Sequence, residues 1–409
     1  ENIGYQVNPV LEVLEEVSAL TQLDETQRPR LEMLEELHAY CKQFIQDSRN
    51  WRQSSFENDW AIFQRNSDGI YDPDLSKRKE SWQSKVFVPI TPSHRENIHA
   101  ALFRMIVGAR PMLEMRARTT QDNDQSQNVR DLILRDMEKT RFEVELNKVL
   151  DDATTFGSGF CRIRREEKRE ERKVRNPMRR AVNVLDPQNM QAAFNGNQPV
   201  DGFVDTIQEV FTFKGTRMEH LSIWDIFPDP KALTIEGNTI AYRYFQTLGD
   251  IVKGVSEGYY FPESLHKLKS GESEETQTDD KQITEADRNI APSNVVRPEY
   301  GKRRECFEMY ARLPKKWVLV RGEEIDDPDK LISARVQFSM DVVLTVDVSD
   351  EYDGEPPIYK MDYFPVSGRF YARGICEMLT HIQEVVNETV NQRIDNIALI
   401  LNKMFGVIE

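Results

Sequence analysis

The C-terminal end of this chain of 409 residues places the strongest constraint on its fold. Apolar side chains recur there at spacings of three and four, which is the repeat of a helix with one apolar face. No proline or glycine lies between residues 375 and 405, so this helix would extend for roughly 45 Å at 1.5 Å per residue. The apolar positions are Ile375, Leu379, Ile382, Val386, Val390, Ile394, Ile397, Leu401 and Met404.

The opposite face of the predicted helix is polar and mostly acidic. Such a helix packs against neighbours on one side and meets water on the other. An ordinary coiled-coil or bundle helix would show the same periodicity, so the spacing alone does not separate the two interpretations. The polar positions are Glu377, Glu384, Glu388, Asn391 and Asp395.

The sequence upstream predicts an α+β region of helices and short antiparallel strands. Helices are expected over residues 9–51, with a break between Asp24 and Pro29, and over residues 93–107, 126–156 and 248–255. The three residues from Gly157 to Gly159 are expected to form a flexible corner that leads into a strand. Strands are expected at residues 85–90, 160–164, 203–213, 242–245, 306–313, 316–320, 342–348 and 358–364.

Two stretches lack hydrophobic periodicity and are interpreted as flexible insertions, near residues 164–201 and 270–298. The first begins with Arg and Lys residues that could contact nucleic acid, but glutamates alternate with them, which favours a solvated hairpin or loop. The second is rich in acidic and small polar residues. We therefore expect residues 1–370 to form one region and residues 371–409 to form the long helix.

Composition excludes several classes of protein. A net charge of -15 argues against a broad nucleic-acid-binding surface, because such binding uses Lys and Arg to displace counterions, although DNA could still slide past the protein. The four cysteines are scattered and lack the spacing of a zinc or redox site, so we expect unpaired thiols that are buried or half-buried. No apolar run reaches the roughly 18 residues that span a bilayer.

No catalytic motif is apparent. The chain has no glycine-rich phosphate loop, its histidines are dispersed, and residues 157–159 lack the flanking pattern of a nucleophile elbow. Residues 66–74 contain aspartates beside Gly69 but lack the ligand pattern of a calcium loop, and they read as a turn. We predict no enzymatic activity, no cofactor and no metal. A metal-dependent nucleic-acid-processing enzyme, with Asp and Glu ligands assembled only by the fold, remains the alternative.

Four segments, in the same order along the chain, resemble the portal proteins of tailed bacteriophages, particularly those of short-tailed phages. They are SKVFVPITPSHRENIHAALFRMIVGARP at residues 84–111, TTFGSGFCRI at 154–163, IWDIFPDPKA at 223–232, and YFPVSGRFYARGICEMLTHIQEVVNETVNQRIDNIALILNKMF at 363–405. None of the four is a catalytic signature.

The resemblance implies an outer wing over residues 1–370 and a first stem helix over residues 371–409, leading to a clip domain beyond Glu409. It further implies a ring of twelve subunits at one vertex of the virion, assembled in the host cytoplasm. Double-stranded DNA would pass through the ring, which would bind terminase, head-to-tail adaptors, and the major capsid and scaffolding proteins. The polar stem positions would face the channel and the apolar ones would pack between subunits. Another tail or adaptor ring protein is the structural alternative.

Overall fold

A computed structural model describes residues 28–109, 112–115, 123–179, 200–264, 268, 303–318, 327–349 and 354–401. Helices and sheets are mixed, which confirms the predicted α+β class. The chain divides into two compact units. The first contains Glu1–Met112, Glu143–Arg162 and Glu219–Glu409, and the second contains Leu113–Phe142 and Ile163–Met218.

The described helices are α1 (Arg28–Arg52), α2 (Asn58–Asp68), α3 (Pro73–Arg78), α4 (Ile90–Val107), α5 (Asn123–Lys139), α6 (Phe142–Phe156), α7 (Leu248–Ser256), α8 (Lys315–Val318) and α9 (Ile375–Leu401). A π-helical turn, Gln53–Glu57, joins α1 to α2, and a 3-10 turn covers Ile223–Asp225. The strands are β1 (Ser158–Arg179), β2 (Val200–Leu221), β3 (Ile226–Pro228), β4 (Ile240–Thr247), β5 (Arg303–Pro314), β6 (Leu331–Ser339), β7 (Val343–Val348) and β8 (Ile358–Asp362).

A five-stranded antiparallel sheet, ordered β3-β4-β5-β6-β7, forms the centre of the first unit. Helix α1 covers it, because Leu37, Cys41 and Ile45 recur every four residues and are fully buried in one cluster with Phe307 and Phe338. Four-residue spacing puts these side chains on one face of a helix. The apolar face of α1 and the inner face of the sheet therefore make one core.

A second core of the first unit is aromatic. Trp60 of α2, Phe156 of α6 and Phe160 of β1 are buried together with Tyr371, which precedes α9. Edge-to-face contacts connect them, with ring centroids 4.9 Å apart for Trp60 and Tyr371 and 6.2 Å apart for Trp60 and Phe156. Such contacts add to the stabilisation that comes from buried area alone. This core fixes the chain immediately before α9.

The second unit contains α5 and the outer parts of β1 and β2. The Asp136 carboxylate of α5 accepts the backbone N–H of Thr216 at 3.0 Å. Gly215 lies against that carboxylate so closely that a Cβ atom there would be 2.5 Å from an Asp136 oxygen. A glycine at this position is thus needed for β2 to approach α5.

Several predicted elements differ from the structure. The helix expected at residues 126–156 is two helices, α5 and α6, which separate at Arg141 with a φ of 55°. The segment expected as a strand at residues 316–320 begins with the short helix α8, and β6 was not predicted. Residues 164–179 of the first expected insertion belong to β1, as the hairpin alternative requires.

Other predictions are confirmed. Helix α7 begins at the predicted position, where Thr247 and Asp250 form a capping box. The turn expected at residues 66–74 is present at residues 69–72, between the end of α2 and the start of α3; Gly69 has a φ of 72° there, and the Asp72 side chain caps α3. The thiols of Cys41, Cys161, Cys306 and Cys376 are unpaired, and all but Cys161 are buried. The helix expected at residues 9–27 and the insertion at residues 270–298 lie outside the described residues.

Candidate functional site on the C-terminal helix

Helix α9 begins where two glycines allow the chain to cross the end of α6. Gly157 has a φ of 106°, and a Cβ atom there would lie 2.1 Å from the carbonyl oxygen of Ala372. A Cβ atom on Gly374 would lie 2.5 Å from the carbonyl oxygen of Thr155. The Ala372 backbone N–H also donates to the Ser158 hydroxyl at 2.9 Å. The glycines at both sides of this crossing therefore set where α9 starts.

A ladder of four polar side chains runs along α9 and binds the backbone of residues 84–91. Its members, Gln383, Asn387, Asn391 and Asp395, recur every four residues and are called the polar ladder below. Their oxygens accept the N–H groups of Thr91 at 3.0 Å, Val88 at 2.9 Å, Val86 at 2.8 Å and Ser84 at 2.6 Å, in that order.

The polar ladder also donates to the same segment. The Gln383 amide donates to the carbonyl oxygen of Val88 at 2.6 Å, and the Asn391 amide donates to that of Val86 at 3.0 Å. The Ser84 hydroxyl adds a hydrogen bond to the Asn391 oxygen at 2.7 Å. These side chains thus give an extended segment the hydrogen bonds that a neighbouring strand would otherwise supply.

The four-residue repeat of the polar ladder on α9 and the two-residue repeat of the extended segment are nearly equal in length. This match lets successive ladder side chains reach successive backbone N–H groups. Four helical residues advance about 6 Å, and two residues of an extended chain advance about 6.6 Å. Every second N–H from Ser84 to Val88 therefore meets the next ladder side chain. Leu379 and Leu399 lie one repeat beyond either end and offer no hydrogen-bonding atoms. If α9 shifted by four residues relative to the extended segment, Leu379 or Leu399 would replace a ladder residue and hydrogen bonds would be lost. The polar ladder therefore specifies how α9 is aligned with residues 84–91.

Residues 85–90 were predicted as a strand, and this prediction is wrong. The segment is extended up to Pro89 but has no strand partner among the described residues, and α4 begins at Ile90. The strand prediction came from a short run of consecutive apolar residues, 86–88, and such a run does not by itself identify a strand. The signal that sequence reasoning missed is the four-residue repeat of amide and acid side chains in α9.

The predicted apolar stripe of α9 is buried only at its beginning. Ile375 is 3% exposed, and Leu379, Val386 and Val390 are partly buried. Ile382 is 52% exposed and Leu401 is 77% exposed, with Ile394 and Ile397 also exposed. Contacts of α9 with α2 and α4 cover part of the helix. Leu399 and Ile400 are exposed as well, so the second half of α9 carries a group of exposed apolar side chains, which is a feature of interaction surfaces.

The predicted channel-facing residues have different surroundings. Glu384 and Glu388 are exposed. The Glu377 carboxylate forms ion pairs with Arg369 at 3.1 Å and with Arg373 at 3.4 Å. Asp395 and Asn391 belong to the polar ladder, and Asn391 is 1% exposed. The Asn391 side chain hydrogen-bonds the backbone of Val86 in the same chain, so it is not available to face a channel.

A comparison with protein families matches residues 37–409 to the family of the phage SU10 portal protein. The match includes the whole of α9, the polar ladder and the segment that the ladder binds. The chain belongs to this portal family. A comparison with curated proteins found no match.

The family is structural rather than catalytic. Within the described parts of the chain, no group of three or more His, Cys, Asp and Glu side chains is placed to hold a metal ion. None of the described helices is long and apolar enough to cross a bilayer. A place at the portal vertex of the virion fits the family.

Proposed function

We propose that this chain is the subunit of a closed portal ring of twelve copies around a channel for double-stranded DNA. The observation that carries the proposal is the row of exposed apolar side chains on α9, in a chain that belongs to a portal family. A ring would bury this surface between adjacent copies. Cyclic rings form when two different surfaces of one subunit meet across each boundary.

The apolar stripe supplies one of these surfaces. Burial of apolar area favours association, so burial of Ile382, Ile394, Ile397 and Leu401 would stabilise each boundary. We assign the packing between subunits to these four side chains. The other predicted members of the stripe pack at least partly inside the subunit, against its own helices and core. They are Ile375, Leu379, Val386 and Val390.

The acidic positions supply the wall of the channel. Exposed Glu384 and Glu388 would repel the phosphates of passing DNA, so the duplex would not be held by the wall. Such repulsion acts over the roughly 8 Å screening length at physiological salt. Glu377 and Asp395 would contribute less, because each already accepts hydrogen bonds within the subunit.

The proposed ring would have the partners of a portal vertex. During packaging it would bind terminase and sit among major capsid and scaffolding proteins, and after packaging it would bind head-to-tail adaptors. It would be assembled in the host cytoplasm and end in the virion. The family match supports a portal over another tail or adaptor ring protein.

Light scattering and negative-stain microscopy of the full-length protein test the proposal. We expect rings with a central hole. The substitutions Ile382→Glu and Ile397→Glu should shift the protein toward monomers, because they place a charge in an apolar boundary. Gln392→Glu adds the same charge to an exposed position of the same helix and should leave the rings intact.

Monomers from the unsubstituted protein would contradict the proposal. Metal-dependent cleavage of DNA by such monomers would favour the nucleic-acid-processing enzyme instead.

A further inference from the structure

Strand β8 lies at the edge of the three-stranded sheet, whose order is β2-β1-β8. It pairs with β1 in an antiparallel register from Ser158 opposite Asp362 to Arg162 opposite Ile358. No described strand pairs with its other side. An edge strand presents a row of backbone N–H and C=O groups that another chain can use.

The register between β1 and β8 determines which backbone groups of β8 face away from β1. Tyr363 donates its N–H to the carbonyl oxygen of Gly157, directly opposite, at 2.8 Å. Antiparallel pairs alternate between bonded and non-bonded positions, so Met361 and Tyr359 are bonded to β1. The N–H and C=O groups of Ile358, Lys360 and Asp362 therefore point away from β1.

A groove of about 740 Å³ lies along this free edge. Its lining includes Ile358, Lys360 and Asp362 from β8, and Leu233 and Ile235 from the loop opposite. Leu233 and Tyr359, both at the groove, are more than half exposed. The groove thus combines backbone groups that neither β1 nor any other described strand uses with apolar side chains, which is the surface that strand addition requires.

The groove lies beside the beginning of α9. Arg369 lines the groove and donates to Glu377 in the first turn of α9 at 3.1 Å. Met378, the next residue, and Ile382, one turn further, are exposed. A neighbouring copy that covers this part of α9 would therefore also reach the groove.

We propose that an extended segment of the neighbouring copy adds to the free edge of β8 and fills this groove. The inference rests on the proposed ring. In a closed ring the two sides of each boundary differ, so one copy can donate a strand while it receives another from the next copy. Strand addition would then repeat around the ring. The backbone hydrogen bonds that hold the added strand do not depend on the side chains of that strand.

Residue-resolved amide hydrogen exchange tests this inference in the full-length ring and in the Ile382→Glu variant, which should be monomeric. The amides of Lys360 and Asp362 should exchange at least about tenfold more slowly in the ring. Those of Tyr359 and Met361 should be protected in both states, because β1 bonds them in the isolated subunit. This alternation within one strand distinguishes strand addition from general burial.

A second pair of variants tests the same edge through assembly. Lys360→Pro removes an N–H that points at the groove and is not used by β1, so it should weaken the ring. Lys360→Met removes the same ammonium group but keeps the N–H, and it should assemble normally. Circular dichroism of the monomers would establish that both variants fold.

Rings in which the Lys360 and Asp362 amides exchange as in the monomer would overturn this inference and leave the proposed function standing. Protection that appears only in complete virions would also overturn it, since a different protein would then occupy the groove. Absence of rings would refute the proposed function and this inference together.

Discussion

Asn391 and Val86 exchange two hydrogen bonds, with the side-chain amide donating to the Val86 carbonyl oxygen at 3.0 Å and the side-chain oxygen accepting the Val86 N–H at 2.8 Å. The two residues are 305 positions apart in the sequence. Asn391 is thereby a substitute for a strand partner. It fixes α9 to the segment that leads into α4.

Replacement of this buried amide should destabilise the first unit. Asn391→Leu has similar size but removes the three hydrogen bonds that the Asn391 side chain makes with Val86 and Ser84, and a hydrogen bond contributes about 0.5–1.5 kcal/mol to stability. We expect the free energy of unfolding to fall by about 2–4 kcal/mol in urea titrations. Gln392→Leu, at the adjacent exposed position, is the control and should change it by less than about 0.5 kcal/mol. Equal effects of the two substitutions would contradict the assigned role of the ladder.

The free energy of unfolding should be equally sensitive to the buried ion pair between Glu308 of β5 and Arg162 of β1. Glu308 accepts from Arg162 at 3.2 Å, from the Tyr242 and Tyr310 hydroxyls at 2.5 Å each, and from Gln337 at 2.9 Å. Glu308→Gln should cost about 3–5 kcal/mol, because it leaves the Arg162 charge buried without its main partner.

The exposed pair of Lys253 and Glu257, 3.7 Å apart, is the control for that substitution. Glu257→Gln should change the free energy of unfolding by at most about 1 kcal/mol. A cost for Glu308→Gln as small as that of the control would mean that water reaches the buried pair.

The glycine before β1 should not tolerate a side chain. Gly157→Ala brings a Cβ atom into the carbonyl group of Ala372 and strains a φ of 106°, so we expect loss of several kcal/mol. Gly258 has a φ of 78° with open space around it, and Gly258→Ala should cost only about 1–2 kcal/mol. Thermal unfolding of both variants measures the difference. A Gly157→Ala protein as stable as Gly258→Ala would refute the close crossing before α9.

The thiols should be unreactive in the folded protein. Burial raises the pKa of Cys306 and Cys376 to about 12 and that of Cys161 to about 11. Only the thiolate reacts with alkylating agents, so at pH 8 fewer than about one thiol in a thousand would be reactive at any of these sites.

Mass spectrometry after treatment with iodoacetamide at pH 8 should find the peptides of these cysteines unmodified in the native state and modified in guanidinium. Because the thiolate fraction rises with pH, modification of Cys161 should increase first as the pH approaches 11. Rapid native modification of Cys306 or Cys376 at pH 8 would show that these sites open.

The sequence predicted α9 well, because its apolar repeat is local and uninterrupted. It did not predict the polar ladder, since Gln383, Asn387, Asn391 and Asp395 resemble the wet face of any surface helix. Their partners lie about 300 residues earlier in the chain, and one sequence contains no signal that connects the two segments. Periodicity thus located the helix but not the partner of its polar face.

The sheet illustrates the same limit. Strand β6 escaped prediction although apolar and polar side chains alternate over residues 334–338, which is the pattern of a half-buried strand. The roles of its polar side chains, Arg335 and Gln337, depend on cross-strand partners, namely Asp347 and Glu308. Residues from 316 onward have strand propensity, yet α8 forms there, and Trp317 packs on Tyr40 of α1 with ring centroids 5.7 Å apart. Tertiary contacts outweigh propensity in short segments.

A three-dimensional reconstruction of the ring formed by the full-length protein tests the central claim most directly. Our account predicts that Ile382, Ile397 and Leu401 contact the adjacent subunit while Glu384 and Glu388 face the central channel. A ring in which the apolar side chains line the channel and the two glutamates lie between subunits would contradict it.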